Sequence, residues 1–375
     1  MPPQQERGDV LKRTLDYWLG CPIAFSIGFI RRKRPFPKDI AHIGIIMIGA
    51  IGDALLASSI IHDLKKRFPH AHITAIVSAA NRGIFDLIEG PDTVLIAPIS
   101  KPWSAIQKFR QCRFDILIDT AQWPRITAIF AALSRSKFTL GFKTLGQSRH
   151  WAFDQTTQHS PRIHELDNFR SLLGSIGVSA NSLPQFKADV FEPSNAPTDP
   201  PYVIFHPWAS GYRSQYREWP TQNWTFIAQP ILARGYRILI TGGPQDQKRA
   251  ELLADTIGSP QHVEILAGRS SLHQTARALL SASAVVSVNT GIMHIAALLS
   301  TPTVALHGPT DPRRWGPIGK NHIIVGPGKD SGCAYLNLGF EYPKKPPDCM
   351  SKISPNEVLQ HLRRILSKAR SNQPN

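Results

Sequence analysis

The sequence predicts an α/β protein built from two doubly wound parallel sheets. Short apolar runs alternate with amphipathic stretches from residue 43 onward, and the alternation starts again after a proline-rich break. Strands and helices in alternation favour parallel sheets that are covered on both faces. With 375 residues, 42% of them hydrophobic, the chain is long enough to form two domains with full cores.

Ten apolar runs predict the strands of these sheets. They lie at 43–48, 71–77, 93–97 and 114–119, and then at 202–207, 236–243, 263–266, 284–288, 302–306 and 322–325. Helical patterns are present at 54–68, 125–133, 166–177 and 355–366. Open α/β sheets bind ligands beyond the carboxyl ends of their strands, so we expect a ligand cleft between the two domains.

The composition along the chain divides it into five parts. A basic amphipathic extension (1–39) precedes a Rossmann-like domain (40–188), and a proline-rich linker (189–201) leads to a second Rossmann-like domain (202–350). A helix and tail follow (351–375). The linker has no periodicity, which is typical of a connection between domains.

The N-terminal extension combines apolar and basic residues. Its apolar side chains recur at helical spacing before Pro22 interrupts the pattern, and a second apolar run is followed by the basic cluster 31–34. This order of charge and hydrophobicity is the reverse of a secretory signal, and no run reaches the ~20 apolar residues of a membrane span. Two interpretations remain, namely an interfacial segment on an anionic bilayer and a helix packed on the first domain.

The net charge and the cysteines limit the class of protein. A formal charge of +16 indicates a polyanionic partner, which is nucleic acid, an anionic membrane surface or a phosphorylated substrate. The four cysteines are too sparse for a disulfide scaffold, and none forms a CxxC pair. We therefore expect a cytoplasmic protein without a metal site.

The first chemical motif is IGAIGDALLASS, in which Gly49 and Gly52 flank a turn between strand and helix. Asp53 falls at the helix start, where it is either a helix cap or a general base that faces the cleft. The spacing matches neither GxGxxG nor a Walker A loop, which disfavours a nicotinamide oxidoreductase.

The second motif covers residues 288–317. Asn289, Thr290 and Gly291 open a helix after a strand, an arrangement that binds phosphate through backbone N–H groups and a hydroxyl. His294, on the next turn, is either a structural histidine or a ligand-binding one. Thr310 and Asp311 lie on a loop that either reaches the same cleft or is a rigid surface connection.

Two further segments carry candidate binding residues. Arg213 and Arg217 lie among aromatic residues after the first strand of the second domain, where they would neutralise a departing diphosphate or stack on nucleic acid bases. Gly242 and Gly243 close a strand before a helix and suit contact with a nucleotide, and Gly268 occurs in the segment LAGRSSL.

Taken together, these motifs resemble glycosyltransferase family 9, the lipopolysaccharide heptosyltransferases, over about residues 40–365. The resemblance implies a GT-B fold, an acceptor-side first domain and a second domain that binds the nucleotide sugar. It also implies inversion at the anomeric carbon, no cofactor and no metal. The donor would be ADP-heptose, and the acceptor a phosphorylated glycolipid such as the lipopolysaccharide core at the inner face of the cytoplasmic membrane.

By position in the motifs, the resemblance makes Asp53 the base and Arg217 the group that stabilises the leaving diphosphate. Asn289, Thr290, Gly291 and His294 would line the diphosphate site, with Gly242, Gly243 and Gly268 near the nucleotide. Gly49, Gly52, Arg213, Thr310 and Asp311 would shape the acceptor side and its loops.

Two positions depart from the family pattern, which often has Asp at position 289 and Lys at position 217. Losing the charge at 289 should ease binding of an anionic diphosphate, and Arg217 keeps the positive charge while adding bidentate geometry. Two alternatives stay open. One is a family member that uses another NDP-sugar, and the other is a basic nucleic-acid-binding protein with Rossmann-like domains, which the resemblance disfavours. The sequence does not indicate an oligomeric state.

Overall fold

The computed structural model describes residues 10–192, 200–345 and 348–371. It divides into two compact units, Met1–Phe186 and Lys187–Asn375, and each contains a six-stranded sheet whose paired strands are all parallel.

The sheet of the first unit has the order β3-β2-β1-β4-β5-β6. Its strands are β1 (His42–Met47), β2 (His72–Val77), β3 (Thr93–Ile96), β4 (Ile116–Asp119), β5 (Phe138–Lys143) and β6 (Gln155–Gln158). Its helices are α1 (Val10–Trp18), α2 (Gly20–Ile30), α3 (Ile51–Ala57), α4 (Ser59–Arg67), α5 (Pro102–Cys112), α6 (Arg125–Leu133) and α7 (Glu165–Gly174).

The sheet of the second unit has the order β9-β8-β7-β10-β11-β12, which is the same winding with β7 in the place of β1. Its strands are β7 (Tyr202–His206), β8 (Arg237–Ile240), β9 (Val263–Ile265), β10 (Ala284–Val288), β11 (Thr303–Leu306) and β12 (His322–Val325). Its helices are α8 (Thr221–Leu232), α9 (Gln247–Ile257), α10 (Leu272–Ser281), α11 (Gly291–Leu298), α12 (Pro312–Trp315) and α13 (Pro355–Ser371).

All ten predicted strands are confirmed, and two strands were missed. β5 contains Gly141, at which a Cβ would lie 2.4 Å from the ring of Phe153, so an aromatic side chain from elsewhere fills the space over the strand. β6 has the polar sequence QTTQ and lies at the sheet edge, where burial does not require apolar residues. The helix predicted at 54–68 was wrong as a single element, because it divides at Ser58 into α3 and α4.

Trp219, two residues after Arg217, belongs to the core of the second unit. Trp219 is buried edge-on against Trp224, with ring centroids 5.3 Å apart. Its Nε1 donates to the carbonyl oxygen of Ile353, 3.2 Å away, just before α13. This contact fixes the start of α13 on the sheet.

The N-terminal helices α1 and α2 pack on the first unit, against α6 and the 3-10 turn Arg149–Ala152. Pro22 lies in the first turn of α2, a position that proline tolerates, so it does not interrupt a helix as we expected. Of the basic cluster, Arg31 and Arg34 pair with the buried carboxylate of Asp154 at 2.7 and 2.8 Å. Half of the cluster is therefore used inside the unit.

The four cysteines include one disulfide, which the sequence analysis did not predict. Cys333 and Cys349 form a disulfide, with Cα atoms 5.8 Å apart, whereas Cys21 and Cys112 are free thiols. The predicted linker begins with a 3-10 turn, Ala188–Phe191, and its residues 193–199 lie outside the described part. None of the described helices has the length and hydropathy needed to cross a bilayer.

Candidate functional site

The turn after β1 places Asp53 in the first turn of α3. Asp53 Oδ2 accepts a hydrogen bond from the backbone N–H of Ala50 at 2.8 Å, so the predicted capping role is confirmed. The side chain remains partly exposed. A Cβ at position 49 would lie 2.7 Å from the Asp53 Cβ, which explains why glycine occupies this position. The cap orients the carboxylate without burying it.

Asn81, which the sequence analysis missed, holds this turn from the side. Its fully buried amide donates to the carbonyl oxygens of Met47 and Gly49, at 2.7 and 3.1 Å. Its Oδ1 accepts from the backbone N–H of Ser78 at 2.9 Å. Asn81 lies just after β2, and a polar residue following an apolar run was the one available sequence signal.

A buried ion pair lies at the carboxyl end of the neighbouring strand, β4. Asp119, the last residue of β4, pairs with Arg149, and both side chains are fully buried. β1 and β4 are adjacent parallel strands whose connections run to opposite sides, so Asp53 and Asp119 flank the switch point of the sheet. Asp119 could have been found from the sequence, because it is the acidic residue that ends the apolar run FDILID. No sequence signal pointed to Arg149.

In the second unit, the predicted residues follow the carboxyl ends of five neighbouring strands. Ser287 of β10 lies opposite His206 of β7, so the segments that follow these two strands meet at the switch point. In spatial order along the edge, the predicted residues are Gly268, Gly242 and Gly243, Arg213 and Arg217, 289–294, and Thr310 and Asp311.

The start of α11 contains an enclosed polar atom that has no hydrogen-bond partner in the described part of the chain. Thr290 precedes the helix without capping it, and its Oγ1 is enclosed and makes no hydrogen bond to any described residue. The Nε2 of His307, just after β11, is also enclosed and makes no hydrogen bond to any described residue. Asn289 and Gly291 flank Thr290, and His294 is buried on the first turns of the helix. Enclosed polar atoms normally have a partner, so these two suit a polar ligand.

Two buried histidines at this edge are neutral. Burial lowers the pKa of His206 to about 4, although its Nδ1 lies 2.9 Å from Thr241 Oγ1. Burial also lowers the pKa of His307 to about 4, and its Nδ1 lies 3.3 Å from the Thr310 oxygens. Positive potential at this edge therefore comes from the N-terminus of α11 and from arginines.

The two predicted arginines lie on the loop after β7. Arg217 ends the 3-10 turn Ser214–Arg217, and its guanidinium donates to the carbonyl oxygen of Ser210 at 2.5 Å. Arg213 has a left-handed backbone conformation and donates to the carbonyl oxygen of Pro343 at 3.2 Å. Both side chains are partly exposed. Both arginines therefore hold the loop through hydrogen bonds to backbone carbonyl oxygens.

The glycines after β8 repeat the turn seen after β1. Asp246 Oδ2 accepts from the N–H of Gly243 at 2.8 Å, and a Cβ at Gly242 would lie 2.9 Å from the Asp246 Cβ. Asp246 is 5% exposed, and burial raises the pKa of its carboxyl. Gly268 has positive φ, and its N–H donates to the carbonyl oxygen of Gly242 at 3.2 Å. The two carboxylates make the same type of capping hydrogen bond, but Asp246 is buried and Asp53 is partly exposed.

The side chains of Thr310 and Asp311 are buried in their own loop. Asp311 caps α12 by accepting from the N–H of Arg313 at 2.9 Å, and it also pairs with the guanidinium of that residue at 2.7 Å. This hydrogen bonding lowers the pKa of Asp311. A role of this loop toward the acceptor stays a prediction.

A family model decides the class of this protein. The model of glycosyltransferase family 9 (heptosyltransferase) matches residues 103–334, more than half of the chain. The chain belongs to glycosyltransferase family 9. Among its relatives, lipopolysaccharide heptosyltransferase 1 of Escherichia coli O18:K1:H7 is 29% identical over 238 residues, 61% of this chain and 70% of the relative. Lipooligosaccharide heptosyltransferase 2 of Haemophilus ducreyi is 23% identical over 86% of this chain and 99% of the relative.

Solved structures of this glycosyltransferase family have the same fold. E. coli ADP-heptose lipopolysaccharide heptosyltransferase II matches with a TM-score of 0.70 and 19% identity, over 88% of this chain and 99% of that one. An E. coli heptosyltransferase solved with ADP matches with a TM-score of 0.67 and 22% identity, over 86% and 99%. The predicted GT-B class, with two Rossmann-like sheets, is confirmed. No group of three or more metal-ligating side chains occurs among the residues described for this glycosyltransferase.

Proposed function

We propose that this glycosyltransferase transfers heptose from ADP-heptose to the lipopolysaccharide core or a related phosphorylated glycolipid, with inversion at the anomeric carbon. The observation that carries the proposal is the enclosed Thr290 Oγ1, which has no hydrogen-bond partner among the described residues, at the N-terminus of α11 and the switch point of the second sheet. A diphosphate supplies the acceptor oxygens that this hydroxyl and the helix N–H groups require.

The nucleotide is proposed from the relatives. Structural neighbours were solved with ADP and with ADP-2-deoxy-2-fluoro heptose. In the second sheet, the loops with Gly242, Gly243 and Gly268 lie next to the loop with Arg213 and Arg217. We assign the base to the glycine loops, where backbone can approach a ligand closely, and the phosphates to the side of the arginines.

The proposed reaction assigns a role to each of these residues. The acceptor hydroxyl oxygen attacks the anomeric carbon, and Asp53 takes the hydroxyl proton as the new carbon–oxygen bond forms. The bond from the anomeric carbon to the diphosphate oxygen breaks, and the electron pair leaves with ADP. Arg217 and the N-terminus of α11 stabilise the charge on the departing diphosphate. The product is the extended glycolipid with inverted anomeric configuration.

The acceptor sets the location that we propose. A phosphorylated glycolipid is presented at the inner face of the cytoplasmic membrane, and a formal charge of +16 favours a protein that works beside anionic lipid. The same charge would also attract nucleic acid, but no contact among the described residues favours that partner.

A thermal shift experiment tests the donor. A ligand present at 100 times its dissociation constant stabilises the folded state by about 2.7 kcal/mol, so a bound nucleotide raises the melting temperature measurably. We expect a shift with ADP and ADP-heptose that exceeds the shift with UDP, GDP and their sugars. A larger shift with another nucleoside diphosphate would assign a different donor, and no shift with any nucleotide would contradict the proposal.

A further inference from the structure

Helices α1 and α2, defined here as the N-terminal helical segment, present large apolar side chains to solvent. Phe29 is 84% exposed, Ile30 80% and Trp18 69%. Other large side chains of this segment, and one of the 3-10 turn on which it packs, are also exposed: Val10, Leu11, Leu15, Leu19, Ile23, Phe25 and Trp151. Phe25 lies edge-on to Trp151, with ring centroids 5.5 Å apart, so the patch continues onto the body of the unit. A continuous apolar patch of this kind marks an interaction surface.

The inner face of α2 is made of small residues. Gly20, Ala24 and Gly28 recur at four-residue spacing, and Gly20 and Ala24 are buried. A Cβ at Gly20 would lie 2.8 Å from the Arg125 side chain, and one at Gly28 would lie 2.7 Å from the carbonyl oxygen of Trp151. The helix backbone therefore approaches the unit closely, and its large side chains are left on the outer face.

Charged contacts fix the N-terminal helical segment at two places. Near the junction of α1 and α2, Asp16 accepts from the N–H groups of Arg125 and Ile126 and pairs with the Arg125 guanidinium at 3.1 Å. After the end of α2, Arg31 and Arg34 pair with Asp154. The outward apolar face of α2 thus belongs to a helix that is bound to the first unit at both of its ends.

The charge around the patch identifies the partner. Residues 10–34 contain six basic residues and one acidic residue, Asp16, which is already paired with Arg125. Arg32 and Lys33 follow the outer face of α2 directly and are exposed. Aromatic side chains such as Trp18 favour the boundary between lipid headgroups and acyl chains. Apolar insertion together with exposed basic residues fits an anionic bilayer.

We propose that the N-terminal helical segment docks the protein on an anionic lipid bilayer by inserting Trp18, Phe29 and Ile30, with Arg32 and Lys33 contacting the headgroups. Asp16 bonds this segment to the start of α6, which follows the carboxyl end of β4. Asp53 follows the adjacent strand β1 at that same edge. If the proposed function holds, docking brings the edge that carries the base to the membrane surface where the glycolipid acceptor lies.

Vesicle flotation of the full chain tests this surface. We expect wild-type protein to float with phosphatidylcholine vesicles that contain phosphatidylglycerol. The double variant Phe29→Ser/Ile30→Ser should bind at least about tenfold more weakly, since two apolar side chains no longer leave water. The matched control is Phe226→Ser/Leu252→Ser, which removes one aromatic and one aliphatic side chain, 45% and 67% exposed, from the second unit. The control should bind like wild type.

A second pair of variants separates the charge contribution. Arg32→Gln/Lys33→Gln should weaken binding to the anionic vesicles by about tenfold, and Lys248→Gln/Lys320→Gln, with the same net charge, should not. Removal of residues 1–38 is not a suitable test, because it would strip Asp154 of both arginines. Unaltered melting temperatures establish that each variant is folded.

Three results would overturn the docking proposal. These are no flotation of the wild type, flotation of Phe29→Ser/Ile30→Ser equal to that of its control, or a wild-type dimer in light scattering that this variant abolishes, since the patch would then bind a second copy. A nucleotide-induced thermal shift without flotation would reject docking and keep the proposed donor. Flotation without any nucleotide shift would reject the donor and keep docking.

Discussion

The Oδ2 atom of Asp53 lies 2.8 Å from the backbone nitrogen of Ala50, and this hydrogen bond sets the direction of the proposed base. An asparagine keeps the bond through its amide oxygen but cannot take a proton. We expect Asp53→Asn to fold and bind ADP like wild type while turnover falls at least about a hundredfold. Sugar transfer, calorimetric ADP binding and the melting temperature check the three parts. Near-normal turnover would remove Asp53 from the mechanism.

Gly49→Ala perturbs the same carboxylate from the backbone side. The new methyl group would lie 2.7 Å from the Asp53 Cβ and 3.1 Å from its Oδ2, so the side chain must shift. We expect a fall in kcat of about tenfold or more, with ADP affinity unchanged. Gly174→Ala, where no atom lies within 4 Å of the added Cβ, is the matched control and should not alter kcat. Equal kcat values for both variants would show that the turn tolerates movement of Asp53.

Thr290→Val tests the diphosphate site. The hydroxyl has no partner among the described residues, so its replacement by a methyl group should leave stability unchanged or slightly raised. A hydrogen bond to a charged phosphate is worth about 1.5–3 kcal/mol, so ADP should bind more weakly by about ten- to a hundredfold. Titration calorimetry measures the affinity. Thr225→Val on the exposed face of α8 is the control, and an equal effect of the two substitutions would exclude a phosphate contact at Thr290.

Because His206 and His307 are buried in the neutral form, we expect the folded state to lose stability in acid. The folded-state pKa of about 4 for His206 and for His307 lies below the ordinary histidine pKa of 6.5, so the unfolded state binds more protons between these two values. Stability therefore rises with pH across this window and is lost as pH falls through it. From pH 7 to pH 5 we expect a loss of about 2 kcal/mol for each histidine in urea unfolding. His206→Gln should reduce this pH dependence, and an unchanged slope would contradict its neutral burial.

The disulfide gives a prediction about thiol chemistry. Denatured, unreduced protein should show two reactive thiols, Cys21 and Cys112, and reduced protein four. The bond closes a loop with a sequence separation of 16, so Cys349→Ser should lower the unfolding free energy by about 3 kcal/mol. Cys112→Ser serves as the control for a free cysteine. Four reactive thiols before reduction would show that the bond does not form in solution.

The sequence predicted strands wherever apolar residues run together, because burial on both faces of a parallel sheet requires such runs. It missed β6, since a polar edge strand has no such signature. The glycine turns at Gly49 and Gly242 were visible because tight approach restricts the residue type. The long-range contacts of the first unit were not visible. Asn81 and Arg149 contact residues about 30 positions away, and Asp154 pairs with Arg31 across more than a hundred positions. Contacts at such separations come from tertiary structure and leave no local pattern.

The seating of α2 has a consequence for biosynthesis. The N-terminal helical segment is synthesised before Arg125, Trp151 and Asp154, on which it packs. At roughly 5–20 residues per second, about 6 to 25 s separate the synthesis of Ile30 from that of Asp154. During that interval the nascent chain carries an apolar, basic segment whose packing partners have not yet been made. Nearby bilayers and chaperones therefore compete for this segment before the first sheet is complete.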